Sequence, residues 1–197
     1  MEFKSDQQKQ LFESIQSDLP NFPESIIYNW LLPFAEDLEG PPGPTMYEFK
    51  PRTRWAGILR QPIVRWQGVR WSLIEIEPTK IEFSEESWQG MKDMLDGHFG
   101  KTPTFLTNML GEGSKERLLR QLGILMHYGK FHEPPVLLKD RGKCVIVDGT
   151  HRMSALSFLL TNPGIVEQLK KPETLYTPLV LEHQFWVGEP DVDGMWT

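Results

Sequence analysis

The stretch Pro134-Pro135-Val136-Leu137-Leu138, followed by a polar turn and then Cys144-Val145-Ile146-Val147-Asp148-Gly149-Thr150-His151-Arg152, decides how this chain is read. The two apolar runs flank Asp140-Arg141-Gly142-Lys143, a turn sequence, which predicts a β-hairpin. The second run ends abruptly in a small polar cluster, and an amphipathic run from Met153 to Leu160 follows at once. The pattern is strand, tight turn, helix. A helix entrance presents unpaired N–H groups and the positive end of the macrodipole, which suits an anion such as phosphate. Gly149 permits a sharp turn or a close backbone approach, and Thr150 is a candidate cap for the helix. Arg152 offers a planar fork of donors, and His151 can donate to a phosphate oxygen or shuttle a proton. Asp148 can fix the turn, orient His151 or bind a metal. The plainer alternative is a strand–helix connection with Arg152 in an internal salt bridge.

Working outward, 197 residues suffice for one domain with a real core, or one domain with an appendage. A net charge of −6 argues against a surface built throughout for nucleic acid, without excluding a local basic patch. The single cysteine, Cys144, rules out an internal disulfide and a cysteine metal cluster, and its apolar setting predicts a buried small residue. The Met-Glu-Phe-Lys start shows no signal-peptide pattern and no apolar run approaches spanning length, so a cytoplasmic protein without membrane insertion is expected.

Helical spacing predicts one helix within residues 4–19 and a second from Phe22 to Leu38, with Pro33 kinking or breaking the latter. Gly40-Pro41-Pro42-Gly43-Pro44 reads as a rigid linker. Residues 1–44 are therefore set apart as a helical segment with its linker, and residues 45–197 as an α/β domain with a C-terminal strand. Residues 45–78 read as strands, with Ile58-Leu59, Ile63-Val64 and Val69 to Ile76 as the β-rich pieces and Gln67-Gly68 as a hairpin turn. Between Phe49 and Ile74 stand Lys50, Arg52, Arg54, Arg60, Arg65 and Arg70, with no acidic residue among them and Trp55, Trp66 and Trp71 interleaved. This is either a phosphate-contacting groove with Trp66 available for base stacking, or an Arg-rich solvent face whose stems cover apolar surface. Ser84 is a good N-cap for a helix from about Glu85 to Phe99, and Glu82, Glu85 and Glu86 cluster at its start. One of these glutamates is a candidate general base or magnesium ligand. Gly111-Glu112-Gly113-Ser114 fails the Walker pattern and is read as a helix cap. Leu179, Leu181, His183, Phe185 and Val187 alternate as one face of a strand, and the tail from Asp191 to Trp196 is expected to be mobile.

The run from Phe131 through Leu138, the strand Cys144 to Val147 and the turn Asp148-Gly149-Thr150-His151-Arg152 that opens Met153-Ser154-Ala155-Leu156 resemble the ParB/sulfiredoxin-like superfamily. Ile74-Glu75-Ile76-Glu77-Pro78-Thr79-Lys80-Ile81 is similar to its first strand, so the resemblance covers roughly residues 73–161. It implies an α/β fold with a small mixed sheet and packed helices, here carrying an N-terminal helical and β extension. It implies further that Gly149, Thr150, His151 and Arg152 bind a phosphate of ATP. Thr150 stands where sulfiredoxins carry their reactive cysteine, which argues against that activity. Free-serine kinases of the superfamily use a glutamate after the first strand, a part that Glu82, Glu85 or Glu86 would take. Plasmid-encoded members that block conjugative DNA transfer combine ATPase and DNase activity. The resulting expectation is a nucleotide-binding phosphohydrolase, with Asp148, His151, Arg152 and one of the three glutamates catalytic. ATP and magnesium are its cofactors, with Asp148 as the metal ligand. DNA is a possible second partner through Arg52, Arg54, Arg60, Arg65, Arg70 and Trp66, and a protein partner is left open. The alternatives are an ATP- or ADP-dependent small-molecule kinase and a non-catalytic DNA- or protein-binding inhibitor.

Overall fold

The computed structural model describes residues 2–36, 58–59, 61–100, 113–164 and 176–195. In chain order its elements are α1 (Asp6–Asp18), α2 (Glu24–Ile26), a π turn (Ile27–Leu31), α3 (Leu32–Glu36), α4 (Ile63–Trp66), β1 (Arg70–Ile76) and a 3-10 turn (Pro78–Lys80). There follow α5 (Glu85–Phe99), α6 (Ser114–Tyr128), β2 (Val136–Asp140), β3 (Lys143–Asp148), α7 (Thr150–Thr161) and β4 (His183–Glu189). The protein is mixed α/β, with a four-stranded mixed sheet in the order β1-β4-β2-β3. Trp71 lies against Gly188 and Glu75 accepts from Gln184, a register that makes β1 and β4 antiparallel. Chain contacts define two compact units, one of Met1–Ser72, Leu138–Arg141 and Trp186–Thr197, the other of Leu73–Leu137 and Gly142–Phe185. The boundary expected at residue 44 lies outside the described residues.

In the first unit α1 begins on Ser5, whose hydroxyl accepts from the Gln8 N–H at 3.1 Å, and it buries Phe12 and Ile15. The second predicted helix forms without breaking at Pro33. The Leu32 N–H reaches back five residues to the Ile27 carbonyl, so one turn widens just before the proline. Proline lacks the N–H that a regular turn would pair with residue 29, and its ring would crowd that carbonyl. A wider turn relieves both problems. Leu59, Trp66, Val69 and the stripe Ile26, Ile27, Trp30, Leu31 and Leu32 complete this unit's core.

Three expectations for this unit need correction. Ile63 and Val64 are helical, because Pro62 presets the entrance of α4 and the apolar run is too short for periodicity to decide. Gln67-Gly68 therefore leads from α4 into β1 and makes no hairpin, and Asn21 Nδ2 pins that connection by donating to the carbonyls of Trp66 and Val69. The tail is held: Asp140 Oδ1 accepts from the N–H groups of Gly194 and Met195 at 2.6 and 3.0 Å, and Met195 is buried. Residues 45–57 lie outside the described residues.

β2 and β3 form the predicted hairpin. Arg141 and Gly142 at its tip have φ of 51° and 77°, the two left-handed residues of a type I′ turn. Glu82 to Ser84 runs beside β3: the Cys144 N–H donates to the Glu82 carbonyl at 2.7 Å and the Ser84 N–H to the Cys144 carbonyl at 2.9 Å. Ser84 then caps α5 as predicted, and Ser87 Oγ accepts from the Ile146 N–H. α7 is buried on most sides, through Met153, Ser154, Ala155, Leu156 and Leu159. Met153, Leu156 and Leu160 on one flank, with Ile81 and Trp88, line a cleft of ≈340 Å³, which accounts for the exposure of Leu160 and Trp88. β4 starts only at His183. Leu181 is 71% exposed, so the predicted alternation holds for His183, Phe185 and Val187 but not for the residues before the ladder begins.

Candidate functional site

The Asp148–Arg152 turn joins β3 to α7 in the way the sequence suggests, with one change of role. Gly149, at φ 99°, is the residue immediately before the helix, and Thr150 is already its first helical residue. No side chain caps this entrance. The same arrangement recurs at α6: Gly113, at φ 75°, precedes Ser114, and no side chain caps that entrance either. Gly113 thus holds the N-cap position of a helix that opens at Ser114, in keeping with the helix-cap reading, and residues 111–112 lie outside the described residues. Two helix N-termini with uncapped first turns carry donors and positive dipole ends.

Ser114 joins them. Its Oγ lies 3.0 Å from His151 Nε2 and 3.0 Å from His98 Nε2, with the Met94 sulfur at 3.4 Å. Ser114 is wholly buried. Burial holds the His151 imidazole down at about 4, helped by the neighbouring Arg117, His98 and Arg152, so His151 is neutral near neutral pH. His98 is lowered as well, by burial first and then by Lys115, with Glu116 acting against the shift.

Arg152 engages Asp148 and Glu133. One of its terminal nitrogens hydrogen-bonds Asp148 Oδ2, while Nη1 donates to the Glu133 carbonyl at 3.2 Å and lies 3.5 Å from Glu133 Oε2. The Arg152 side chain is only 11% exposed. Burial pushes the Asp148 carboxyl up, opposed by Arg152 and by the Gly149 N–H. The internal salt bridge posed as the plain alternative is therefore present. A guanidinium has five N–H donors, so this engagement leaves some of them uncommitted. The Gly149 backbone makes the contact possible: a Cβ there would stand 2.9 Å from Arg152 Nε and 3.0 Å from Pro135 Cβ.

Asp148, Gly149, Thr150, His151 and Arg152 are thus gathered at one helix entrance, while the three glutamates are placed differently. Glu82, Glu85 and Glu86 are exposed. The Glu82 backbone is registered on Cys144, four residues before Asp148 and so about 13 Å away along the strand. Among the described residues, no group of three or more His, Cys, Asp or Glu side chains is placed to hold a metal ion.

Of the nucleic-acid candidates, Arg52, Arg54 and Arg60 lie outside the described residues. Arg65 is exposed and donates to Gln61, and Arg70 is exposed and paired with Asp191 at 2.6 Å. Trp66 is corrected. It is fully buried, edge-on to Phe22 and Trp30 and stacked on Trp71 at 6.3 Å between ring centres, so no base can reach it. No described helix is long and apolar enough to cross a membrane.

Sequence reasoning did not find Ser114, His98 or Glu133 as parts of the site. Ser114 and His151 are 37 residues apart, and neither carries a local pattern that announces the other. Compared with protein-family models, curated proteins and solved structures, the chain matches none.

Proposed function

We propose that this protein binds the phosphate of a nucleotide where the entrances of α6 and α7 meet, and that it is a ParB/sulfiredoxin-like phosphohydrolase acting on ATP, with DNA as a possible second substrate. The observation that carries the reading is the pair of glycine-preceded, side-chain-uncapped helix entrances joined through Ser114 and His151. Backbone N–H groups, two dipole ends and the nearby Arg117 and Arg152 give that place the character of an anion site. These residues fit a phosphate. They do not assemble a magnesium cage of their own, so magnesium would arrive on the nucleotide and look to Asp148 and the phosphate oxygens for ligands. In this reading His151 is a neutral donor or proton carrier to the phosphate, and Arg152 fixes Asp148 and the turn while lending charge.

A second reading has a specific observation in its favour. Asp148 is engaged by Arg152, and the exposed glutamates stand off along β3, which suits a protein that holds a nucleotide without turning it over, as an inhibitor would. A small-molecule kinase is the remaining alternative. A thermal-shift titration with ATP and magnesium tests the binding, and product analysis separates the readings. The wild type should be stabilised and His151→Ala much less so. ADP and inorganic phosphate mark a hydrolase, a phosphorylated metabolite marks a kinase, and stabilisation without product marks a binder. A wild type that ATP fails to stabilise would sink the nucleotide site.

A further inference from the structure

Ser114 is a buried hydroxyl held between two imidazoles, and a hydroxyl has one proton. Its Oγ is 3.0 Å from both His98 Nε2 and His151 Nε2, so it can donate to at most one of them. At least one ring must therefore donate its own Nε2–H to the serine oxygen. The charged surroundings decide which. His151 faces two guanidinium cations, Arg117 on α6 and Arg152 on its own helix. Asp148, on the strand before α7, is tied to Arg152. His98 faces Lys115 but also Glu116, both on α6. A lone pair sits better in the more positive field, and an N–H in the field that contains a carboxylate. The Met94 sulfur, 3.4 Å from Oγ, is a thioether and a weaker acceptor than an imidazole nitrogen, so the serine proton goes to His151 and His98 donates to the serine. Nδ1 of His151 has no hydrogen-bond partner among the described residues, and the residue is only partly buried.

We propose that Ser114 and His98 are positioning residues that fix His151 as the Nδ1-protonated neutral tautomer, presenting Nδ1–H as a donor to the phosphate at the α7 entrance. The proton order is His98 Nε2–H to Ser114 Oγ, Ser114 O–H to His151 Nε2, and His151 Nδ1–H outward. The role of the outward donor rests on the nucleotide-phosphate reading, whereas the tautomer does not. The arrangement makes the site selective for an acceptor, because a neutral imidazole held in this way offers a ligand an N–H and no lone pair.

Long-range proton–nitrogen NMR on the full-length protein labelled at histidine reads the tautomer directly, without any variant or ligand. The expected result near neutral pH is His151 protonated at Nδ1 and His98 protonated at Nε2. His151 protonated at Nε2 would overturn the proposal. In Ser114→Ala, which keeps nearly the same volume, the His151 signals should move to a mixture of tautomers, and ATP affinity should weaken about three- to tenfold, the loss of one hydrogen bond. His98→Gln, which can still donate to the serine, should retain most of the wild-type tautomer. An unchanged His151 tautomer in Ser114→Ala would also overturn it. The predicted tautomer in a protein that ignores ATP would separate the two ideas, leaving the positioning device standing and the nucleotide reading refuted.

Discussion

Gly149 is the residue on which the site turns. Its φ of 99° belongs to the left-handed region, and the space where a Cβ would go is filled by the Arg152 guanidinium and Pro135. Gly149→Ala therefore meets two obstacles, backbone strain and collision, which together cost about 1–3 kcal/mol. The same substitution should push Arg152 off Asp148 and lower nucleotide affinity. Urea unfolding followed beside an ATP titration checks both, and a variant as stable as the wild type would show that the turn adapts. Trp66 makes the opposite point. In the sequence it stands among arginines and invites a stacking role, yet it is 0% exposed and packed on three other aromatic rings. Trp66→Ala should cost about 3–5 kcal/mol, the range for emptying a large aromatic site, and should change DNA binding only through loss of folded protein.

Among the elements, those whose local chemistry is self-sufficient were legible. Ser84 caps α5, Pro20 follows the end of α1, and the β2–β3 hairpin turns where Asp140 to Lys143 says it should. Each is decided within a few residues, so sequence periodicity and turn residues carry the information. The hairpin still holds a local conflict, since Arg141 occupies a left-handed position that a type I′ turn reserves for Asn, Asp or Gly. Arg141→Asn should raise stability by about 0.5–1 kcal/mol, measured as a shift in the urea midpoint at constant slope. What was not legible depends on distant partners. The short run Ile63-Val64 reads equally as strand or helix until Pro62 and the buried face of Trp66 settle it. Within the site, the Asp148–Arg152 turn was visible because its residues are contiguous, whereas Ser114 and His98 reach it only through the packing of α5 and α6 against α7.

At the scale of the whole molecule the charge is −6, so a DNA contact would depend on a local basic surface. Arg65 and Arg70 are the exposed candidates among the described residues, and Arg70 is already matched by Asp191. If DNA binds there, affinity should fall steeply with salt, and changing both arginines to alanine should flatten the logarithmic salt slope by about two. An unchanged slope would remove this surface from the reading. Acid stability follows from three imidazoles of the second unit that packing desolvates. His151 titrates near 6.5 when unfolded and at about 4 when folded, and His98 and His183 are lowered in the same direction, chiefly by burial. Between those values the unfolded chain binds more protons, so stability is lost as the pH falls from about 6.5 and the loss from His151 is complete below about 4. Asp148 has the opposite sign. Its folded carboxyl is raised, so it takes up a proton before the unfolded chain does, and falling pH through its window favours the fold. Melting temperatures should therefore decline as the pH drops below about 6.5. The decline should be shallower in His151→Asn, which has no proton to gain, and a variant that keeps the wild-type slope would show that this imidazole is not what the acid attacks.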